Sequence, residues 1–245
     1  MVGRVSIPNE MLTFCPWPSA SSRGKLNMQE KDWLIRWQKN QIGFHDTKVN
    51  SHLKQYISAS DLKPGDTIFL PLCGKSADIT WVAEQGFKVI GVELSAIAIE
   101  SYFAEQGLSF DQLKSGPFIA RSSGNIYLLE GSFFDLRQQD LGDCSLVYDR
   151  ASLIALDEPT RTKYAEWMQS IIGDKTDILL VTLNYNQSEM NGPPFAVSTD
   201  EVMRHYGSAF QVDTIRQTEI VDESPRWRAK GLSSLVESVY LLGKK

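Results

Sequence analysis

From Lys63 onward the sequence alternates between short apolar runs and amphipathic stretches. TIFLPL leads into SADITWVAEQG, KVIGVEL into SAIAIESYFAEQG, SLVYDR into TRTKYAEWMQSIIG, and DILLVTLNY into STDEVMRHYG. Apolar strands that alternate with helices are buried on both sides in one arrangement, a parallel sheet with helices above and below it. The expected fold class is therefore α/β. NIYLLEG reads as a further strand, the return arm of a hairpin with PFIARS around Ser123-Gly124. Two strands near 211–220 and 234–242 lack an intervening helical pattern and are expected to pair as an antiparallel edge. Gly86 closes one predicted helix and Ser95 caps the next.

The segment before Lys63 is different in character. Residues 1–26 hold Pro, Ser and Gly without periodicity and read as a mobile arm, which leaves 27–245 as one domain. NMQEKDWLIRWQKN predicts a short helix in which Asn27 and Glu30 have capping-box spacing and Trp33, Leu34 and Trp37 share a face. A second polar helix is expected from about Thr47 to Ile57.

Composition excludes several function classes. A chain of 245 residues, 42% hydrophobic and 22% charged, can bury one large core. No apolar run approaches the roughly 18 residues of a membrane span, and Pro8, Glu10, Pro16 and Pro18 interrupt any signal-peptide core. Three scattered cysteines fit a reducing, cytoplasmic setting, and neither they nor the three scattered histidines have metal-ligand spacing. The net charge of −5 argues against a nucleic-acid surface.

In an open α/β sheet, ligands sit beyond the carboxyl ends of the strands where the strand order reverses. The first such end, PLCGKS, contains Gly-Lys-Ser but is not a phosphate loop. That loop needs a glycine five positions before Gly74, and Phe69 stands there. Glu93 closes the second strand, nineteen positions after Gly74. An acid there suits the two ribose hydroxyls of an adenosine, or else is a solvated strand-end carboxylate. Without a G-x-G-x-x-G run a pyrophosphate has no cradle, so an adenosine ligand without phosphates is expected, S-adenosylmethionine being the common one. Ser132 and Phe133, after the third strand end, suit an adenine as polar contact and apolar wall, or form a plain loop. Asp149-Arg150 leaves the fourth strand where a substrate or methionine moiety would lie, or makes a local salt bridge. GPPF at 192–195 offers a stiff wall of Pro194 and Phe195 for a flat substrate. Gly192 separates Asn191 from Pro193-Pro194-Phe195, unlike the N-P-P-[YF] loop of nucleic-acid methyltransferases. Taken alone, Trp33 and Trp37 read as a docking face, and SPRWRAKG as a solvated basic turn.

The ordered set W…W, GFH (43–45), FLPLCGK (69–75), VIGVELS (89–95), SSGNIYL (122–128), DRASLIAL (149–156), GPPF (192–195) and GLSSLVESVYLL (231–242) resembles the thiopurine S-methyltransferase family from about Trp33 to Leu242. The resemblance implies a Rossmann-like doubly wound, mostly parallel seven-stranded sheet with an antiparallel C-terminal edge hairpin and a helical lid over 27–58. It implies S-adenosylmethionine as cofactor, bound by Trp33, Trp37, Leu72, Gly74, Glu93, Ser132, Phe133 and Arg150. A small-molecule thiol would meet Phe44, Pro194 and Phe195, with Arg150 and Arg226 flanking it as the catalytic pair. It also accounts for the one-glycine loop, which would wrap a sulfonium amino acid. The implied reaction is metal-free in-line methyl transfer to the sulfur of an aromatic or heterocyclic thiol by a cytoplasmic monomer. The alternatives are methylation of selenium or tellurium compounds or of a small aliphatic thiol, and non-catalytic cofactor binding. No general base stands out, and a substrate already ionised near neutral pH needs none.

Overall fold

The protein is described by a computed structural model over residues 28–245. The arm at 1–26, Cys15 and the Asn27 half of the capping box lie outside the described residues. Two helices come first, α1 (Met28–Gln38) and α2 (Ser51–Ala59). The second starts later than Thr47 because Asn50 is its cap, accepting hydrogen bonds from the His52 and Leu53 amides.

The alternating region follows as β1 (Thr67–Leu70), α3 (Ala77–Glu84), β2 (Lys88–Glu93), α4 (Ala96–Glu105), β3 (Asp111–Ser115), β4 (Phe118–Ser123), β5 (Ile126–Glu130), α5 (Gln138–Leu141), β6 (Cys144–Arg150), α6 (Glu158–Ile171) and β7 (Asp177–Asn184). The chain continues through α7 (Thr199–Tyr206), β8 (Phe210–Glu219), α8 (Pro225–Ala229) and β9 (Val236–Lys244). All nine strands form one sheet in the order β3-β4-β5-β2-β1-β6-β7-β9-β8. Strands β5, β2, β1, β6 and β7 run parallel, and the order reverses between β1 and β6, as in a Rossmann-like doubly wound sheet.

Seven of these strands are the expected set, and the hairpin of PFIARS with NIYLLEG is present as β4–β5. The count rises to nine because that hairpin extends the sheet and β3 adds one strand further out. Residues 111–115 are almost wholly exposed, so no apolar alternation marks β3 in the sequence. At the other end β9 pairs antiparallel with β8 but lies between it and β7, leaving only β8 at the edge. The basic turn expected between them is the helix α8, whose Trp227 is buried against the core.

Side-chain alternation divides the core. Phe69, Ile90, Val147 and Leu180 face one layer with Tyr164 and Met168 of α6 and Tyr206 of α7. Their neighbours Ile68, Val89, Leu146 and Leu179 face the other, with Leu53 of α2, Ile79 of α3 and Tyr102 of α4. Gly91 is the close contact in this packing. A Cβ there would fall 2.7 Å from Leu128 Cδ2 and 2.8 Å from Cys73 Sγ. The missing side chain lets the loop after β1 lie against β2, where Cys73 N donates to Val92 O at 3.0 Å. Among the described residues no helix is long and apolar enough to cross a membrane.

Candidate active site

A cavity of about 870 Å³, mouth included, opens at the carboxyl ends of the parallel strands. Its lining brings together Trp33, Trp37, Phe44, Leu72, Gly74, Glu93, Ser132 and Phe133, eight of the twelve expected site residues. A second recess adjoins it, sharing Trp37, Phe44, Leu72, Gly74 and Ala151, and there Arg150 lines the wall with His45, Asp46, Lys75, Asp78 and Tyr148. Pro194, Phe195 and Arg226 line neither space.

The loop after β1 has unusual backbone geometry. Leu72, at φ 45°, and Gly74, at φ 53°, both adopt the left-handed region. Ala151, just past β6, does so at φ 70°. For Leu72 and Ala151 this costs on the order of 1–2 kcal/mol each. Both non-glycine residues lie at the junction of the two spaces, a common location for retained backbone strain. The conformation aims Gly74 N–H at Glu93 Oε2, at 2.9 Å, while Glu93 Oε1 accepts from Ser95 N–H at 2.8 Å. The Leu94 N–H also favours the ionised carboxylate. Burial pushes the Glu93 carboxyl up to about 7, against the pull of these amides. An ordinary solvated strand-end acid is neither buried nor held this way.

The opposite wall is aromatic and apolar. Phe133 stacks on Tyr164 with ring centroids 4.4 Å apart, and the Tyr164 hydroxyl donates to buried Asp149 Oδ2 at 2.7 Å. Burial raises Asp149 to about 6. Ser132 is half-buried, and its hydroxyl donates to Glu30 Oε1 of α1 at 2.6 Å. Helix α1 thus lies across the cavity. Its Trp33 and Trp37 both meet Phe44 edge-to-face, at 5.3 and 5.7 Å between centroids. Trp37 is buried, while Phe44 stays 47% exposed at the mouth.

The arginines occupy different places. Arg150 lies 3.7 Å from buried Asp78 and 3.6 Å from Asp46, so it is held inside the recess. Arg226 is exposed on α8, sits over Trp227 and donates to the Gly43 carbonyl at 3.3 Å, one residue from Phe44. Phe195 N–H donates to Ile154 O, and Tyr185 donates to Pro194 O, so the GPPF segment backs the residues next to the cavity wall without lining it.

Glu30, Tyr164, Asp46, Asp78 and His45 were not anticipated as site residues. Tyr164 and Asp78 lie on helices whose sequence gives only periodicity, and their facing becomes visible once the strands are ordered. His45 carries a weak signal, its place directly after Phe44 in GFH. The arrangement fits an adenosine: a fixed acid lining the cavity, a glycine loop too short for phosphates, and an aromatic wall. Among the described residues, no group of three His, Cys, Asp or Glu side chains is placed to hold a metal.

The solved structures similar to this chain include a 1,6-didemethyltoxoflavin-N1-methyltransferase from Burkholderia thailandensis with S-adenosylhomocysteine bound, at TM-score 0.58 and 12% identity over 87% of each chain. A methyltransferase from Anabaena variabilis matches at TM-score 0.57 and 13% identity, over 93% of this chain and 99% of its own. At such identity they speak for the fold. Sequence relatives reach further. A thiopurine S-methyltransferase of Nitrosospira multiformis is 42% identical over 215 residues, 88% of this chain and 98% of its own. One of Pseudomonas putida is 42% identical over 217 residues, 89% of this chain and 100% of its own. The sequence profile of the thiopurine S-methyltransferase family matches residues 28–245. The chain belongs to the thiopurine S-methyltransferase family and is an S-adenosylmethionine-dependent methyltransferase.

Proposed function

We propose that the protein transfers a methyl group to the sulfur of an aromatic or heterocyclic thiol by in-line displacement, acting as a cytoplasmic monomer. The observation that carries this reading is the junction at Phe44. An exposed aromatic face stands there, with Arg150 lining the same recess and Arg226 bonded to the adjoining Gly43 carbonyl, which suits a flat, anionic sulfur compound. The curated relatives named for thiopurines support the same acceptor class.

When bound, S-adenosylmethionine supplies an electrophilic methyl on a sulfonium centre. Glu93 would accept the ribose hydroxyls, and Phe133 and Ser132 would bound the adenine. Trp33 and Trp37 would cover the site and exclude water, and aromatic faces tolerate the sulfonium cation. Arg150 would hold the amino-acid end from the recess and face the acceptor. A cation and a thiolate lose charge together in the reaction, so a water-poor junction favours the transition state. Holding the two reactants in line supplies on the order of 7–11 kcal/mol.

A turnover assay with methyl-labelled cofactor and a panel of aromatic thiols, aliphatic thiols, selenols and tellurium and selenium oxyanions tests the proposal. Aromatic thiols should give the highest kcat/KM. Preference for an oxyanion or an aliphatic thiol would replace the acceptor class, and cofactor binding without turnover on any of them would make this a non-catalytic binding protein.

A further inference from the structure

His45 lines the recess beside Arg150 and Asp46, one residue past the Phe44 ring that marks its junction with the cavity. The other two histidines are already engaged. His52 Nε2 lies 2.7 Å from Glu237 Oε1, and His205 Nε2 lies 3.4 Å from Glu201 Oε1. His45 pairs with no carboxylate among the described residues, and its backbone is fixed by a turn in which His45 N donates to Ile42 O at 2.8 Å.

The charges around the ring come from four elements. Lys75 after β1 and Arg150 of β6 oppose a positive imidazole, whereas Asp46 and Glu105 of α4 favour it. Lys75 is itself paired with Glu105, and the recess also holds Asp78 of α3, which faces Arg150. Burial is the largest influence and, with Lys75, lowers the imidazole below its usual 6.5. At pH 7 the ring is therefore neutral, with a nitrogen lone pair available at the edge of the acceptor space.

We propose that His45 is a catalytic base of this site, taking the S–H proton from acceptor thiols that are not ionised at neutral pH. The inference rests on the thiol reading above and extends it to acceptors for which arginine alone is insufficient. The S–H bond breaks as its proton moves to an imidazole nitrogen, and the freed sulfur lone pair forms the new bond to the methyl carbon. The old bond from that carbon to the sulfonium breaks, its electron pair staying on the sulfur of S-adenosylhomocysteine. His45 is half-buried, so the imidazolium then returns its proton to water at the recess mouth. General-base assistance of this kind contributes about 10²–10⁴-fold for a substrate that needs it.

The test compares the parent protein with His45→Gln on two acceptors, an aliphatic thiol with a pKa of about 8.5 and an aromatic thiol already ionised at pH 7. In the variant, kcat/KM should fall at least about tenfold more for the aliphatic thiol than for the aromatic one. The parent's profile for the aliphatic thiol should be flat from about pH 7 to 8.5, whereas the variant's should climb about tenfold per pH unit as the free thiolate accumulates. A readout without turnover accompanies this. In the parent's S-adenosylhomocysteine complex at pH 7, adding the aliphatic thiol should shift the His45 imidazole NMR signals, because its S–H shares a proton with a ring nitrogen, whereas a thioether of the same size should not. Calorimetric binding of S-adenosylhomocysteine to both proteins controls for folding. If the parent methylates both thiols and the variant loses both equally, or neither, with the same pH profile, or if the His45 signals do not respond to the thiol, the base assignment alone is overturned. If the parent binds S-adenosylhomocysteine but methylates neither thiol, the thiol reading fails and the base assignment with it.

Discussion

The Ser132 hydroxyl donates to Glu30 at 2.6 Å, across 102 positions of sequence, and so ties helix α1 to the strand-end loop on the cavity floor. The cover and the floor are therefore joined even without ligand. Ser132→Ala removes that tie, and a hydrogen bond to a charged group of this kind is worth about 1.5–3 kcal/mol at most. Amide exchange over residues 28–46 should speed up in the variant. In the parent it should slow on adding S-adenosylhomocysteine, because half-buried Trp33 completes its burial on the ligand. Exchange already slow and insensitive to ligand would mean that α1 is a fixed wall.

Glu93 should control cofactor affinity and its pH dependence. Glu93→Gln is expected to weaken S-adenosylhomocysteine binding by about 1–3 kcal/mol, measured by titration calorimetry. The sign with pH follows from burial, which raises the free carboxyl to about 7. Ligand hydroxyls need the ionised form, so affinity should rise from pH 6 to 8 and level off above. The same shift acts oppositely on folding. The folded state holds the proton more tightly than the unfolded one, so the contribution of Glu93 to stability declines as pH rises from about 4.5 to 7. Affinity that does not change across this range would remove Glu93 from the ribose.

The two arginines should separate cleanly. Arg150 is half-buried and lies between Asp46 and Asp78, whereas Arg226 reaches the Gly43 carbonyl beside Phe44. Arg150→Ala should harm both cofactor binding and turnover, since it also leaves buried Asp78 without its cation. Arg226→Ala should reduce kcat/KM for an anionic thiol and leave S-adenosylhomocysteine affinity within about twofold, a difference below 0.5 kcal/mol. Parent-like turnover in both variants would make the pair structural.

Activity should persist in excess chelator. The described residues offer no three-ligand cluster, and the reacting groups need only positioning. Activity lost to the chelator and restored by one divalent ion would contradict this.

Gly91→Ala should be among the more damaging single-methyl changes. Its Cβ would fall within 2.8 Å of both Leu128 and Cys73, and overpacking of this sort costs about 1–3 kcal/mol. Because Cys73 adjoins Gly74, the variant should also lose cofactor affinity, which calorimetry and a thermal melt would show together.

The parallel half of the sheet was legible because each buried strand is a continuous apolar run with a helix after it. Glu93 was legible as well, since a strand end and a spacing from Gly74 define it. Residues 111–115 were not legible, because an exposed edge strand has no buried face to pattern. The place of β9 between β7 and β8 was equally hidden. Adjacent strands in sequence suggest a terminal hairpin, and only the pairing of Val181 with Val239 shows the insertion. Tyr164 reads as ordinary helix periodicity, and its stacking on Phe133 depends on where α6 packs. The GPPF segment read as a substrate wall from its stiffness alone, yet its contacts direct it to the back of the cavity.

The position of β9 also bears on how damaged copies of this protein would behave. Val236–Lys244 is hydrogen-bonded on both flanks, to β7 and to β8. Loss of that one segment would bare the buried strand Asp177–Asn184 along a full side and release Phe210–Glu219 from the sheet. Two unpaired ladders would appear at once, each a template for joining another chain. A copy cut short there would be removed by aggregation or proteolysis, even though every residue lining the cavity was already in place.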